Sequence, residues 1–462
     1  MSAHGPLRVI VLAAGKGTRM RSRHPKVLQP LAGRPLLGHC LDRVGALRPD
    51  AISVVVSHQQ DRVREAFAAA PVTWVDQGRP GGTGHAVATA LEGVPDRTRV
   101  LVTYGDVPRI PVADLEACVA APQDLAVLGA EVADPTGYGR LVVDAAGALA
   151  RIVEHQEADA GERAIRTINT GVLAGQAGAL RRWLAACEPT PEAGREWYLT
   201  DVVEQAVADG VSVALVRSRK PDAVLGVNDR AQLAEQERLL QRDQAGTLMQ
   251  AGLALVDPDR FDLRGTLEHG LDCHLDVNVV LEGRVVLGDD VHIGPGCVLR
   301  DCEIGTGSVI AAHSVLEETV VAEGACIGPF ARLRPGTRIG PGARIGNFVE
   351  TKNAVLDASA KIPHLSYVGD AHVGTRANLG AGTITCNYDG ARKHHTEIGA
   401  DAFIGSNTAL VAPLNIGSGA TVGAGSTLSR DVEPGALALT RARARTIPDW
   451  PRPRKGDEPA ES

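Results

Sequence analysis

Two hydrophobic rhythms divide the chain. As far as about residue 225, short apolar runs alternate with amphipathic stretches: Leu7 to Leu12, Ile52 to Val56, Val100 to Val102 and Leu125 to Leu128 read as strands, Pro35 to Leu47 and Gln60 to Ala69 as helices. That alternation predicts a mostly parallel sheet with helices on both faces. From about residue 279 the spacing changes. Ile327, Leu333, Ile339 and Ile345 recur in steps of six, as do Ile398, Ile404, Leu410, Ile416, Val422 and Leu428, often with Gly next. An inward aliphatic residue at every sixth position suits three short parallel strands per coil, one along each edge of a triangular prism. No single coil buries its inner face, so the coils must stack.

Between these regions Asp229 to Leu248 is charged and periodic, with Leu233, Leu240 and Leu248 spaced for one helical face, which predicts a connecting helix. The six-step lapses between Leu379 and Ile398, where Ala381 to Gly390 and Arg392 to His395 fall out of phase. An out-of-phase insertion in a solenoid predicts a functional loop. The boundaries read from these changes are 1–228 for the sheet domain, 229–249 for the helix, 250–447 for the solenoid and 448–462 for a Pro-rich, charged tail expected to be disordered.

Composition narrows the function. At 462 residues the chain exceeds what one core supports, in keeping with two domains. A net charge of -7 argues against a general nucleic-acid binder, which needs a basic field to displace counterions. The eight cysteines are scattered without a C-x-x-C pair and read as reduced, mostly buried thiols. No apolar run approaches the roughly 20 residues of a membrane span, so a cytoplasmic protein with no membrane partner is expected.

Candidate chemistry begins directly after the first strand, in Gly15-Lys16-Gly17-Thr18. The glycines alone could be only a tight turn, and the segment is neither a dinucleotide fingerprint nor a Walker loop. Arg19 and Lys26 bracket it, however, and backbone N–H groups with two cations are what a triphosphate needs. Asp106 follows the strand Val100 to Val102, where ligands bind in open α/β sheets. Together with Asn228 it offers two oxygen ligands suited to Mg²⁺, although the sequence does not show that the two meet.

The strings LAAGKGTRM, PKVL, GTGHA, YGDVP, DPTGYGR, VEH, INTG, WYLTD and GVNDR, followed in order by FDLRGTLEHG, GPFARLRPG, GNFVE, HLSYVGD, NLGAGTITCNYDG and IGSNTALVAP, cover nearly the whole chain. They resemble the bacterial bifunctional N-acetylglucosamine-1-phosphate uridylyltransferase/glucosamine-1-phosphate acetyltransferase family. The resemblance implies an α/β fold with an N-terminal Rossmann-like nucleotidyltransferase domain, followed by a C-terminal left-handed parallel β-helix of hexapeptide repeats. It implies that Leu12, Ala13, Ala14, Gly15, Lys26, Gln77, Gly82, Thr83, Tyr104 and Gly105 contact uridine and phosphates, and that Arg19 stabilises triphosphate charge. Gly139, Glu154, Asn169 and Asn228 would hold the sugar nucleotide, and Asp106 with Asn228 would hold Mg²⁺. The substrates implied are UTP, acetyl-CoA, glucosamine 1-phosphate and N-acetylglucosamine 1-phosphate, and the assembly implied is a homotrimer.

For acetyl transfer a base must take the proton of the sugar amine, and a group titrating near neutrality does this efficiently. His364 is one of 14 histidines, and spacing alone does not single it out. The resemblance gives it that role. It also implies that Arg334, Lys352, Tyr367 and Asn378 contact the amino sugar phosphate, and that Ala381, Asn387, Tyr388, Ser406, Ala424 and Arg441 line the acetyl-CoA site. Gly81, Trp197, Thr351 and Asn353 depart from the residues usual in the family, which are Leu, Tyr, Met and Lys. His269, Cys273, His274, Cys297 and Cys302 fit no standard zinc spacing and read as solenoid positions. His394 and His395 read as a solvated loop pair. Two other readings remain open on the residues alone: a single-activity nucleotidyltransferase with a scaffolding solenoid, and a nucleotide-sugar sensor without turnover.

Overall fold

The structure, a computed structural model, describes residues 5–79, 81–145, 147–189, 196–441, 444–450 and 452. The tail expected at 448–462 therefore lies, apart from 448–450 and 452, outside the described residues. The chain divides into two compact units, Met1–Asp243 and Gln244–Ser462.

In the first unit the apolar runs become β1 (Leu7–Leu12), β2 (Ala51–Val56), β3 (Thr73–Asp76), β4 (Arg99–Tyr104), β5 (Leu125–Glu131), β6 (Arg140–Val143), β7 (Leu149–Val153), β8 (Thr167–Gln176) and β9 (Val213–Arg217). Among the described residues they form one sheet in the order β9-β5-β8-β4-β1-β2-β3, with β6 and β7 as a side ribbon on β8. β1 pairs in parallel with β2 and β4, whereas β8 runs antiparallel to β4 and β5. The central strands are buried along their length because both faces are covered, one by the cluster that includes Val87, Leu180 and Val203, the other by the cluster that includes Leu37, Val63 and Leu115. These residues come from α3 (Thr83–Ala90), α5 (Ala177–Ala186) and α6 (Asp201–Ala208) on one side, and α1 (Leu36–Gly45), α2 (Gln60–Ala66) and α4 (Val112–Ala120) on the other.

The expected connecting helix is present as Arg230–Gln250. Its apolar residues serve two cores: Leu233 and Leu240 join Met20, Leu31, Leu36 and Val227, while Leu248 packs against the core of the second unit.

The second unit is a parallel β-helix built mostly of two- and three-residue strands, many with an outward residue followed by a buried one, with longer strands such as Phe261–His269, Val279–Leu287, Glu350–Leu356 and Tyr367–Val373 among them. Its registers stack three inward columns: Ile293, Ile310, Ile327, Ile345 and Ile362 on one edge; Leu281, Leu299, Leu316, Leu333, Thr351 and Val368 on the second; Ile304, Val321, Ile339, Leu356, Val373 and Ile398 on the third. These columns are the prism that the six-step predicts. The lapse in that step is shorter than expected. Thr385 is buried six positions after Leu379, its hydroxyl satisfied by the Gly369 carbonyl at 3.0 Å, so a polar residue carries the rhythm and the excursion begins only at Asn387. None of the described helices is long and apolar enough to cross a membrane.

Candidate functional site

In the first unit the loops at the carboxyl ends of β1, β3 and β4 surround a cavity of about 420 Å³, lined by Leu12, Ala13, Ala14, Gly15, Lys26, Gln77, Gly82, Thr83, Tyr104, Asp106 and Asn228. Asp106 and Asn228 do meet. Lys26 Nζ is ion-paired with Asp106 and lies 3.5 Å from Asn228 Oδ1, to which Arg19 Nη2 also donates at 3.0 Å. The Val227 amide donates to the Asp106 carbonyl at 2.9 Å and locks the two segments together. One carboxylate and one amide oxygen thus converge where cations already collect. These are hard donors, and they fit a Mg²⁺ ion that takes its remaining ligands from water and phosphate.

The Gly82 loop is held against backbone. Gly82 has φ 106°, and a Cβ there would fall 2.4 Å from the Trp197 carbonyl, which accepts from the Gly84 amide at 2.8 Å. Gln77 Nε2 donates to the Gly82 carbonyl at 2.9 Å, and Thr83 Oγ1 accepts from the Leu199 amide at 3.0 Å. Gly81 and Trp197 both border His85: a Cβ at 81 would lie 3.0 Å from its ring, and Trp197 stacks on it with ring centroids 6.2 Å apart.

Tyr104 borders a second recess with Asn169, Gly171 and Thr200. The Asn169 amide donates to the Gly139 carbonyl at 2.8 Å, a Cβ on Gly139 would be 3.5 Å from Glu154 Oε2, and Thr200 Oγ1 donates to Glu154 Oε1 at 3.4 Å. Gly139, Glu154 and Asn169 are therefore one group. Burial raises the Glu154 carboxyl above its ordinary value; the Thr200 hydroxyl opposes this, and the carboxylates of Glu157, Asp201 and Glu196 add to it. Burial likewise pushes the Tyr104 phenol up, with Asp106 and Glu154 contributing.

In the second unit His364 ends the strand Lys361–His364, in register with Asn347. Its Nδ1 donates to Asn347 Oδ1 at 3.0 Å, which sets the tautomer and leaves Nε2 as the basic nitrogen. Along the same edge the following coils stack Ala381, Ser406 and Ala424: the Asn407 amide donates to the Ala381 carbonyl at 2.7 Å, the Gly425 amide to the Ser406 carbonyl at 2.7 Å, and Arg441 Nε to the Ala424 carbonyl at 3.1 Å. Small residues along an edge headed by His364 leave room for an extended chain.

Arg334, Lys352 and Tyr367 belong to the neighbouring sheet. Arg334 Nη1 is fixed by Glu350 at 2.9 Å. The Lys393 ammonium beside Lys352 holds the latter below the usual lysine value, with slight burial and Arg334 adding and Asp370 opposing. Arg334, Lys352 and Lys393 thus put cationic side chains near one another with the Glu350 and Asp370 carboxylates beside them, a setting able to receive an anion. Asn378 stands apart from this group, on a strand of the His364 sheet in register with Lys361 and Phe403. The loop after Asn387 is tied around Asp389, which accepts from the Ala391 and Arg392 amides at 2.8 and 2.6 Å and from His394 Nε2 at 2.7 Å. His394 and His395 lie in the loop as the sequence reads them, and His394 is in addition tied to Asp389, a contact that two adjacent histidines in a sequence do not signal. Tyr388 bridges back to Lys393. Cys273, Cys297 and Cys302 are buried, each donating its thiol to a backbone carbonyl.

Lys393 and Glu196 lie outside the sequence motifs, and Asn347, Glu350, Asp370 and Thr200 lie within GNFVE, HLSYVGD and WYLTD without a role that those strings assign. Only proximity to a named partner singles these residues out, and proximity is not written in spacing of this kind.

Residues 9–188 match the MobA-like NTP transferase domain family, and residues 285–318 match the bacterial transferase hexapeptide (six repeats) family. The chain is 52% identical over 448 residues to Bifunctional protein GlmU of Alkalilimnicola ehrlichii, covering 97% of this chain and 96% of that protein. It is 52% identical over 451 residues to the GlmU of Stutzerimonas stutzeri, covering 97% and 99%. Against that of Azoarcus sp. it is 51% identical over 454 residues, covering 97% and 100%. With both units matched in order and nearly the full length aligned, the chain belongs to the bifunctional GlmU family.

Proposed function

We propose that the two activities of this chain divide between its two units, with residues 1–228 carrying uridylyl transfer and 250–447 acetyl transfer. The chain is a bifunctional enzyme, an acetyltransferase and a uridylyltransferase serving UDP-N-acetylglucosamine and cell-wall synthesis. In the solenoid, Arg334 and Lys352, helped by Tyr367 and Asn378, hold the phosphate of glucosamine 1-phosphate. Ala381, Asn387, Tyr388, Ser406, Ala424 and Arg441 line the acetyl-CoA groove. The sugar amine attacks the thioester carbonyl while His364 Nε2 takes its proton, and coenzyme A leaves with its thiol. The position of Asn378 on a different sheet from Arg334 supports a homotrimer in which neighbouring copies complete each acetyl-transfer site.

In the sheet unit no protein nucleophile is required. The phosphate of N-acetylglucosamine 1-phosphate attacks the α-phosphorus of UTP and pyrophosphate leaves, so the protein positions and neutralises. Arg19 and Lys26 offset charge on the triphosphate. Gly139, Glu154, Asn169 and Asn228 orient the sugar, and the Leu12–Gly15 turn with Gln77, Gly82, Thr83, Tyr104 and Gly105 seats the uridine and phosphates. Mg²⁺, held by Asp106 and Asn228, would supply further neutralisation of phosphate charge. The convergence of Lys26, Asp106 and Asn228 on one cavity, with Arg19 bonded to Asn228, carries this reading. A cytoplasmic location follows from the nucleotide and coenzyme A substrates.

Reciprocal variants test the division. His364→Ala is expected to lower acetyl transfer by about 10²–10⁴, with partial rescue at higher pH, and to spare uridylyl transfer. Asp106→Ala is expected to do the reverse, by about 10²–10³. Loss of both activities together in either variant would overturn the assignment.

A further inference from the structure

Asp370 has no role in the reaction as described, yet it sits at the centre of the acetyl-transfer residues. Its Oδ1 accepts from Asn353 Nδ2 at 2.8 Å and its Oδ2 from Asn387 Nδ2 at 2.6 Å. Asn353 and Asp370 occupy equivalent corner positions of successive coils, both with positive φ, 45° and 47°, which Asn and Asp tolerate better than most residues. The neighbouring Gly369 is a seat for the same group: a Cβ there would lie 2.3 Å from the Tyr367 hydroxyl and 2.9 Å from Asn387 Nδ2. Asn387 is buried, and its amide nitrogen also lies 3.5 Å from that hydroxyl.

A carboxylate accepts hydrogen bonds and cannot donate them. Against Asp370 the Asn387 amide can present only its NH₂ end, because a flipped amide would set its carbonyl oxygen against the carboxylate. We infer that Asp370 is a positioning residue for acetyl transfer, holding Asn387 so that its carbonyl oxygen accepts a hydrogen bond from the amine of glucosamine 1-phosphate. The inference rests on the placement of Asn387 at the acyl-transfer site proposed above. It makes Asp370 a determinant of selectivity for an amino sugar: a substrate nitrogen donates to that oxygen, whereas a substrate lacking the amine gains nothing from it.

The test is Asp370→Asn in the full-length enzyme, where the amide at 387 is free to flip. The expected result is a fall of about 10- to 100-fold in kcat for acetyl transfer. Affinity for glucosamine 1-phosphate should weaken about tenfold, the size of one hydrogen bond to a charged group. Glucose 1-phosphate, which lacks the amine, should compete as well as before, and uridylyl transfer should not change. The double variant Asp370→Asn/Asn387→Asp restores an acceptor facing the amine and should recover part of the amine selectivity, while Asn387→Asp alone, with two facing carboxylates, should not. Equal weakening of both sugar phosphates in Asp370→Asn would overturn the inference. If that variant does not fold, a folded double variant without amine selectivity overturns it instead. Wild-type acetylation by Asn387→Ala would show that the placement of Asn387 itself is wrong.

Discussion

The two units assemble their sites over different distances along the chain. In the sheet unit the meeting side chains are remote: Arg19 and Asn228 are 209 positions apart, and Lys26 and Asp106 are 80 apart. In the solenoid the pairs His364–Asn347, Asn353–Asp370 and Asn387–Asp370 are each 17 apart, one coil in every case. A site of the first kind depends on topology and on loops that close around a ligand. One of the second kind depends on register, because each coil places its residues against the coil before. The two kinds of site differ most at the glycines that face the ligand in the first unit and the next coil in the second: Gly15 stands in open space, whereas Gly346 lies against the coil that follows.

The largest expected effect exploits that difference with one substitution made twice. A Cβ on Gly346 would lie 1.7 Å from the Pro363 carbonyl of the next coil, whereas one on Gly15 meets nothing within 4 Å. Gly346→Ala should destabilise the solenoid by about 3 kcal/mol or more, lowering its melting temperature by roughly 6–12 °C. Gly15→Ala should leave stability within about 0.5 kcal/mol while raising KM for UTP, because the added methyl occupies the cavity. Calorimetry with both assays checks the pair; equal destabilisation would erase the contrast.

A smaller effect is expected where register acts on chemistry alone. Asn347→Ala removes the acceptor that sets the His364 tautomer and should reduce kcat for acetyl transfer about 10- to 100-fold, with KM for acetyl-CoA little changed. Steady-state kinetics reads the split, and an unchanged kcat would show that His364 is oriented by other contacts.

The smallest effect belongs to the sheet unit and is a matter of pH. Burial raises the Glu154 carboxyl, so its ionised form opposes folding: stability should fall as pH rises from the unfolded-state value through the raised folded value. Glu154→Gln should remove that slope, gaining stability at pH 7 and nothing near pH 4, while weakening N-acetylglucosamine 1-phosphate about 3- to 10-fold. Melting curves across this range decide it; parallel curves for the two proteins would refute the linkage.

Much of the architecture was legible without coordinates. The apolar run Leu7 to Leu12 is a central strand, and the isoleucines spaced by six line the prism, because period and burial are set by local backbone geometry. Thr385 escaped that reading, since a threonine satisfied by a carbonyl packs inward as an aliphatic residue does. The family motifs named His364, Asp106 and Asn228, but that the latter two share a cavity with Lys26, and that Arg19 bonds Asn228, was decided by the fold. The connecting helix was legible as a helix, yet only packing showed that Leu248 serves a different core from Leu233 and Leu240. Lys393 belongs to none of the quoted motifs, and Asn347 and Asp370 sit in GNFVE and HLSYVGD as residues whose partners the strings do not show. The periods, the turns and the residue types able to do the chemistry are written in the chain; which of them meet is set by the fold, because a hydrogen bond depends on distances that only the folded chain fixes.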